Sequence, residues 1–460
     1  MNLIFFSILD MIKSYFQENP LPSIPKEELD SNFIIQGIIN LQKTIEGLSG
    51  QDSIAAAHVV LLAAGVTIFL GVAGEAFFKK TGIPDIAFLM ILGVIIGPVL
   101  GIIQPDVVIE VVPYFAALAL IIIMFDGGLN LDLKNMVKTA HFAIMLTILG
   151  FAASMVIVTM LAHYGLGWEL LDSILLSSIV GGSSSIIVFG LVRQLKVSEE
   201  TRSMLSFESA LTDILSTIVA FIMFQAVLSG FFDIDLLGVT FGRAVAVGLL
   251  LGLGVGIPWM FVTAKLSNAQ HSYMLTLGIL FVLYFMAQSF GESGALTALV
   301  FGLMLGNRKR ISRYLKLKLP EISTDDTMHN QLTFLVRSFF FVFVGLLASF
   351  GQIEFLIFGI VSAVLIYFGR VIVTKTSLTN RFSLLDRKVT SVMIPRGLAA
   401  AVLATFPITL GLPNGDAYPQ IVFFVIMASV IITTIGLGRA KKIPPPDNVE
   451  GGYVQNEKKI

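Results

Sequence analysis

The chain has 460 residues, of which 55% are hydrophobic and only 13% charged, with a formal net charge of −1 and a mean hydropathy of +0.87. Soluble domains carry about 25% charged residues, so an ordinary soluble protein is excluded, and a basic nucleic-acid binder with it. The absence of cysteine removes disulfides and thiolate metal sites.

Residues 1–56 open on a short apolar patch around Leu3–Leu9 and continue through Glu-, Pro- and Ser-rich sequence too broken to span a bilayer. No basic stretch precedes the patch and no small-residue cleavage site follows it, so the expectation is an extracytoplasmic, interfacial segment with one or two amphipathic helices rather than a cleaved signal. From residue 57 the apolar runs approach the roughly 17–25 residues that a bilayer core requires. Thirteen are expected, at about 57–78, 84–104, 109–129, 138–163, 171–193, 203–229, 238–264, 271–290, 293–307, 331–350, 353–374, 388–410 and 419–438. The fold class that follows is an all-α polytopic membrane protein, with a transmembrane domain over 57–438 and a cytoplasmic tail over 439–460.

Most of the 30 Lys and Arg fall on alternate loops, including Lys79 and Lys80, Arg193 to Arg202, Arg308 to Lys318, and Lys375 to Lys388. Because basic residues collect on cytoplasmic loops, this alternation sets the N-terminus outside and the C-terminus in the cytoplasm of a multi-pass protein in the cell membrane. An odd helix count makes spans 1–6 and 8–13 two inverted six-helix repeats, the arrangement that places a transport site near the midplane where interrupted helices meet. The fifth span carries Gly181-Gly182-Ser183-Ser184-Ser185, and the twelfth carries Pro395-Arg396-Gly397. These are the expected crossed, interrupted helices 5 and 12.

The sixth span holds the most informative polarity. Ser206, Ser209, Asp213 and Ser216 share one helical face, and Glu208 pairs with Thr212 four residues on. A carboxylate at the centre of a spanning helix costs about 2.5–3.5 kcal/mol, so two of them within six residues point to a partner or an ion path. Arg370 and Arg396 are both candidate partners for Glu208, which would leave Asp213 as the acid free to titrate. Asp126, in Phe125-Asp126-Gly127-Gly128, is either a ligand or a helix-end marker, while Arg243 and Arg337 lie near helix ends and snorkel. The five histidines show no ligand spacing and read as interfacial.

These residues resemble a known family, the monovalent cation:proton antiporters close to the thirteen-helix sodium/proton exchangers. Glu208-Ser209-Ala210-Leu211-Thr212-Asp213 is similar to the family's Glu-Ser-x-x-Asn-Asp signature, and Phe125 to Leu131 to its Phe-Glu-Gly-Gly-Leu stretch. Arg396-Gly397, Arg370, and Ile83-Pro84 through Gly97-Pro98 are similar to further family elements. The resemblance implies a homodimer in which a core of about 138–229 and 353–438 moves like an elevator against a dimerisation part of about 57–129 and 238–350. It also implies that Asp213 binds cation or proton and that Glu208 is the structural partner of an arginine, Arg370 first. Two departures stand out: Thr212 replaces the signature's Asn, and Ser183–Ser185 replace the helix-5 Thr-Asp-Pro. No further domain is expected in the short polar tail.

The function expected is electroneutral 1:1 exchange of a monovalent cation, Na+ first with K+ or Li+ as alternatives, for H+ by competition at Asp213. The cation would take oxygen ligands from Asp213, Thr212, Ser209, Ser184, Ser185 and Asp126. No cofactor, nucleic-acid partner or enzyme chemistry is expected. A cation channel, a sodium-coupled organic anion symporter and a membrane scaffold are the rival readings.

Overall fold

The computed structural model describes residues 65–76, 85–99, 105–131, 133–193, 195–230, 234–265, 272–290, 293–314, 326–348, 352–378 and 382–443. The interfacial reading of residues 1–56 and most of the polar tail lie outside them. The helices that carry the fold belong to the compact unit of residues 67–460. They are α1 (67–76), α2 (Asp85–Val94, extended by a π-helical turn over Ile95–Val99), α3 (Pro105–Asn130), α4 (Leu133–Gly165), α5 (Leu170–Val180), α6 (Ser185–Arg193), α7 (Glu199–Ser229), α8 (Ile234–Lys265) and α9 (Ser272–Ser289). After them come α10 (Gly294–Gly306), α11 (Arg308–Tyr314), α12 (Asp326–Leu346), α13 (Ile353–Ser377), α14 (Leu384–Val392), α15 (Leu398–Leu403), α16 (Phe406–Thr409) and α17 (Ala417–Ala440).

The protein is a multi-pass, all-helical membrane protein, and no strand occurs among the described residues. Each of the thirteen expected spans overlaps helical backbone, but the helices are unequal. Among the described residues seven helical segments are long and apolar enough to cross a bilayer, one of them running through the break between α5 and α6. The shortest pieces arise where the chain is broken, since the twelfth expected span divides into α14, α15 and α16.

Two sets of helices pack mainly among themselves. In one, α3 lies against α10 and α12, α10 against α8 and α9, and α12 against α2. In the other, α4, α5 and α7 pack on one another, and α13 packs on α4, α14 and α17. The short α15 touches members of both, including α3, α7 and α12. Close approach in the first set depends on small residues: a Cβ on Gly128 of α3 would collide with the Leu299 carbonyl of α10, and one on Gly302 with the Phe125 carbonyl. In a membrane, where lipid tails are as apolar as leucine, such backbone contact supplies the packing energy that burial cannot.

The second set holds most of the buried polarity. Ser177, Ser178, Ser183, Glu208, Thr212, Asp213, Arg370 and Arg396 are all buried, and two interrupted helices bring several of them together.

Candidate functional site

Helix α7 begins cleanly, with Ser198 accepting the Thr201 backbone N–H and Glu199 and Glu200 in its first turn, where acids complement the positive end of the helix dipole. It ends at Gly230, whose φ of 67° is the left-handed conformation that favours glycine. Between these caps Glu208 and Asp213 face into the bundle, 2% and 6% exposed.

The Gly-Ser run separates α5 from α6, because two glycines and three serines weaken the helix and leave N–H groups to be satisfied from elsewhere. Three successive donors find partners on other elements. Ser183 N donates to Thr212 Oγ1 at 3.1 Å, Ser184 N to the Pro395 carbonyl at 2.8 Å, and Ser185 N to Asp213 Oδ2 at 3.0 Å. Asp213 therefore sits at the N-terminus of α6, a position that favours a negative charge. The second break, Met393–Gly397, runs against the first. Pro395 accepts the Ser184 bond, and Gly397 lies so close to Ser184 that a Cβ there would overlap its hydroxyl. Arg396 N donates to Ser429 Oγ of α17 at 2.9 Å.

Beside this crossing lies a buried ion pair. Arg370 of α13 holds Glu208 through two parallel bonds, NH1 to Oε1 at 3.0 Å and NH2 to Oε2 at 3.1 Å, the bidentate geometry suited to a guanidinium. Its Nε donates to the Thr390 carbonyl at 3.1 Å, and Ser183 Oγ donates to Glu208 Oε1 at 3.4 Å. Arg396, the alternative partner, instead sends NH2 to Ser154 Oγ of α4 at 3.0 Å. A cavity of about 10 Å³, lined by Glu208, Arg370, Arg396, Ser154, Ser183 and Thr212 among others, separates these groups and has room for about one water.

The residues expected as ligands are not all gathered at Asp213. Ser185 adjoins Asp213 directly, and Ser184 is the next residue along the break. Thr212 is committed elsewhere: its hydroxyl meets Ser183 N, Ser183 Oγ at 3.1 Å and the Ser209 carbonyl at 2.9 Å, so it ties the break to α7. Ser209 turns back to the Ser206 carbonyl at 3.1 Å within its own helix. Asp126 belongs to the other helix set, where Oδ1 meets His329 Nε2 at 2.8 Å and accepts from Asn130 Nδ2 at 3.0 Å. His329, in the first turn of α12, is also bonded through Nδ1 to the Tyr273 hydroxyl at 2.8 Å and is buried in the protein. An unpaired acid there would be costly, and a nearby imidazole satisfies it locally.

Sequence reasoning passed over Ser154 and Ser429, which hold Arg396, since a lone serine in an apolar helix carries no signal of its own. It also passed over Asp172, 3% exposed, whose carboxylate and carbonyl both accept from the Tyr418 hydroxyl at 3.4 Å and 3.2 Å. It lies in the first residues of the fifth expected span, where a carboxylate is ordinary as a helix-end residue.

Comparison with known proteins bears on what this arrangement does. The family model described as "Sodium/hydrogen exchanger, transmembrane" matches residues 65–440. The chain is 27% identical over 375 residues to the K(+)/H(+) antiporter NhaP2 of Shewanella baltica, an alignment covering 79% of this chain and 63% of that protein. It therefore spans less than two thirds of the length of that relative. It is also 27% identical over 401 residues to Na(+)/H(+) antiporter 1 of Methanocaldococcus jannaschii, covering 81% and 89%. Its fold matches the structure of the sodium proton antiporter MjNhaP1 from M. jannaschii at pH 8 with a TM-score of 0.72 and 20% identity, over 84% of this chain and 99% of that one.

Proposed function

We propose that this chain, which belongs to the sodium/hydrogen exchanger family, exchanges a monovalent cation for H+ across the membrane by alternating access, with the two ions competing for Asp213. The observation that carries this reading is the contrast between the two acids of α7. Glu208 is neutralised by a bidentate arginine, whereas Asp213 forms no salt bridge among the described residues and meets the N–H of Ser185 where two broken helices cross. A buried carboxylate with no fixed cation must take a mobile one, and the mobile ones are a proton or a metal ion.

The cation ligands proposed are the Asp213 carboxylate together with oxygens of Ser184 and Ser185. Thr212 acts by fixing the break, Ser209 within its own helix, and Asp126 outside the direct shell. Hard monovalent ions suit such an all-oxygen site. The similar proteins are named for Na+ in one case and K+ in others, so Na+ is proposed first and K+ second. One carboxylate that is neutral as the acid and neutral as the cation complex gives 1:1, electroneutral exchange.

The elevator division is proposed along the packing boundary, with about 138–229 and 353–438 moving against about 57–129 and 238–350 in a homodimer. The N-terminus is proposed outside and the C-terminus in the cytoplasm, from the loop charges. Proteoliposomes carrying a pH gradient test the function: Na+, K+ and Li+ are added in turn and the collapse of the gradient is followed. Collapse with at least one cation is expected, with the apparent KM rising as pH falls and Vmax constant. No collapse with any of the three would overturn the reading.

A further inference from the structure

One end of the first helix set carries charge that the ion site does not use. Four of the six residues from Arg308 to Arg313 are basic, and at helical spacing Lys309, Arg310 and Arg313 fall together on one side of α11. Like charges three and four residues apart repel along a helix, so the arrangement is unfavourable by itself. The three border a cavity of about 390 Å³, together with Asn130 at the end of α3 and Asn307 between α10 and α11, and no carboxylate is among its lining residues. That volume lies within the roughly 300–1,000 Å³ of small-molecule sites. The frame of the cavity is fixed by backbone contacts: Asn307 Nδ2 donates to the Leu131 carbonyl at 2.7 Å and to the Leu303 carbonyl at 3.0 Å, and a Cβ on Gly306 would strike the Leu129 carbonyl. Asp126, one turn back on α3, is bonded to Asn130 and His329 and does not line the cavity.

We propose that this cavity binds a phosphate group, presented by the headgroup of an anionic lipid or as free phosphate, through Lys309, Arg310 and Arg313. Basic residues that only mark one side of a membrane protein stand apart in solvent, whereas these three share one cavity with two side-chain amides. Three cations exceed what the two oxygens of a carboxylate engage, while a phosphate offers an oxygen to each, and the guanidinium fork matches its geometry. A bound phosphate removes the repulsion within α11 and ties that helix to the end of α3. The cavity lies at the end proposed above as cytoplasmic, the side on which basic pockets between spans meet anionic headgroups. None of its residues belongs to the Asp213 site, so the proposal is independent of the exchange reading.

The test incubates the detergent-purified full chain with radioactive inorganic phosphate in one arm and with radioactive phosphatidylglycerol in mixed micelles in the other, at fixed ionic strength and with phosphatidylcholine as competitor. Saturable binding that phosphatidylcholine does not displace is expected in at least one arm, and the arm that binds identifies the source of the phosphate. Each charge removed is expected to weaken binding about fivefold, so Arg310→Gln with Arg313→Gln lowers affinity about 25-fold. Asn130→Phe leaves the charge unchanged and fills the cavity, and is expected to weaken binding as well. Lys441→Gln with Lys442→Gln removes two charges beyond the end of α17, outside the cavity, and is expected to leave affinity as in wild type. Should the double arginine variant fail to fold, Arg313→Gln and Asn130→Phe decide. No saturable binding in either arm, displacement by phosphatidylcholine, or unchanged affinity in the arginine or Asn130 variants overturns the proposal. So does a lysine pair that weakens binding as much as the arginine pair, since the attraction would then belong to the whole charged surface. Binding is read without transport, so the outcome stands whether or not the chain exchanges cations for protons.

Discussion

The backbone N–H of Ser185 donates to Asp213 Oδ2 at 3.0 Å, so the first turn of α6 is capped by a carboxylate from the middle of α7. The bond joins a helix break to an ionisable group, and protonation or cation binding at Asp213 changes how strongly the break is held.

Replacing that carboxylate should separate fold from transport. In Asp213→Asn the amide oxygen still accepts from Ser185, so the melting temperature is expected to stay close to that of wild type, while cation-dependent collapse of a pH gradient is lost. A variant that retains exchange would show that the titrating group lies elsewhere.

Glu208→Gln has the opposite expectation. It leaves Arg370 buried without a counter-charge, and breaking a buried pair costs about 3–5 kcal/mol. Its melting temperature should fall well below that of Asp213→Asn. Equal values, measured by fluorescence on detergent-purified protein, would count against a structural role for Glu208.

The meeting of the two breaks can be probed by volume. Gly397→Ala places a methyl group on the Ser184 hydroxyl, and such overpacking costs about 1–3 kcal/mol. Exchange and stability should both drop, and Ser184→Gly in the same chain should restore much of each by removing the obstructing side chain. No rescue in the double variant would show that the two breaks do not constrain one another.

With Asp213 as the proposed single carrier, the site would have the same charge with H+ or a monovalent cation bound, and exchange would be electroneutral. A potential clamped with valinomycin and graded K+ gradients should therefore leave unchanged the Na+ gradient at which the pH gradient holds steady. A shift would reveal a second carrier of protons, and Asp172, buried in α5 beside Tyr418, is then the first residue to replace.

The amino-acid sequence by itself determined the membrane class, the helical stretches and the two weak points at Gly181–Ser185 and Pro395–Gly397. Hydropathy and helix-breaking are sums over neighbours along the chain, so they are legible without a fold. The sequence also marked Glu208, Asp213, Arg370 and Arg396 as too costly to be incidental. It left open which arginine meets Glu208, because the partners stand 162 residues apart and both candidates satisfy the same need for a counter-charge. Only the tertiary structure decided this, since Arg370 of α13 is held square to Glu208 by the Thr390 carbonyl while Arg396 is turned toward Ser154. It likewise turned the Thr212 hydroxyl into a staple for Ser183 and set Asp126 against His329. A hydroxyl or carboxylate serves as ion ligand or as structural acceptor with the same chemistry, and what separates the two roles is which donor the packing of distant helices brings within about 3 Å.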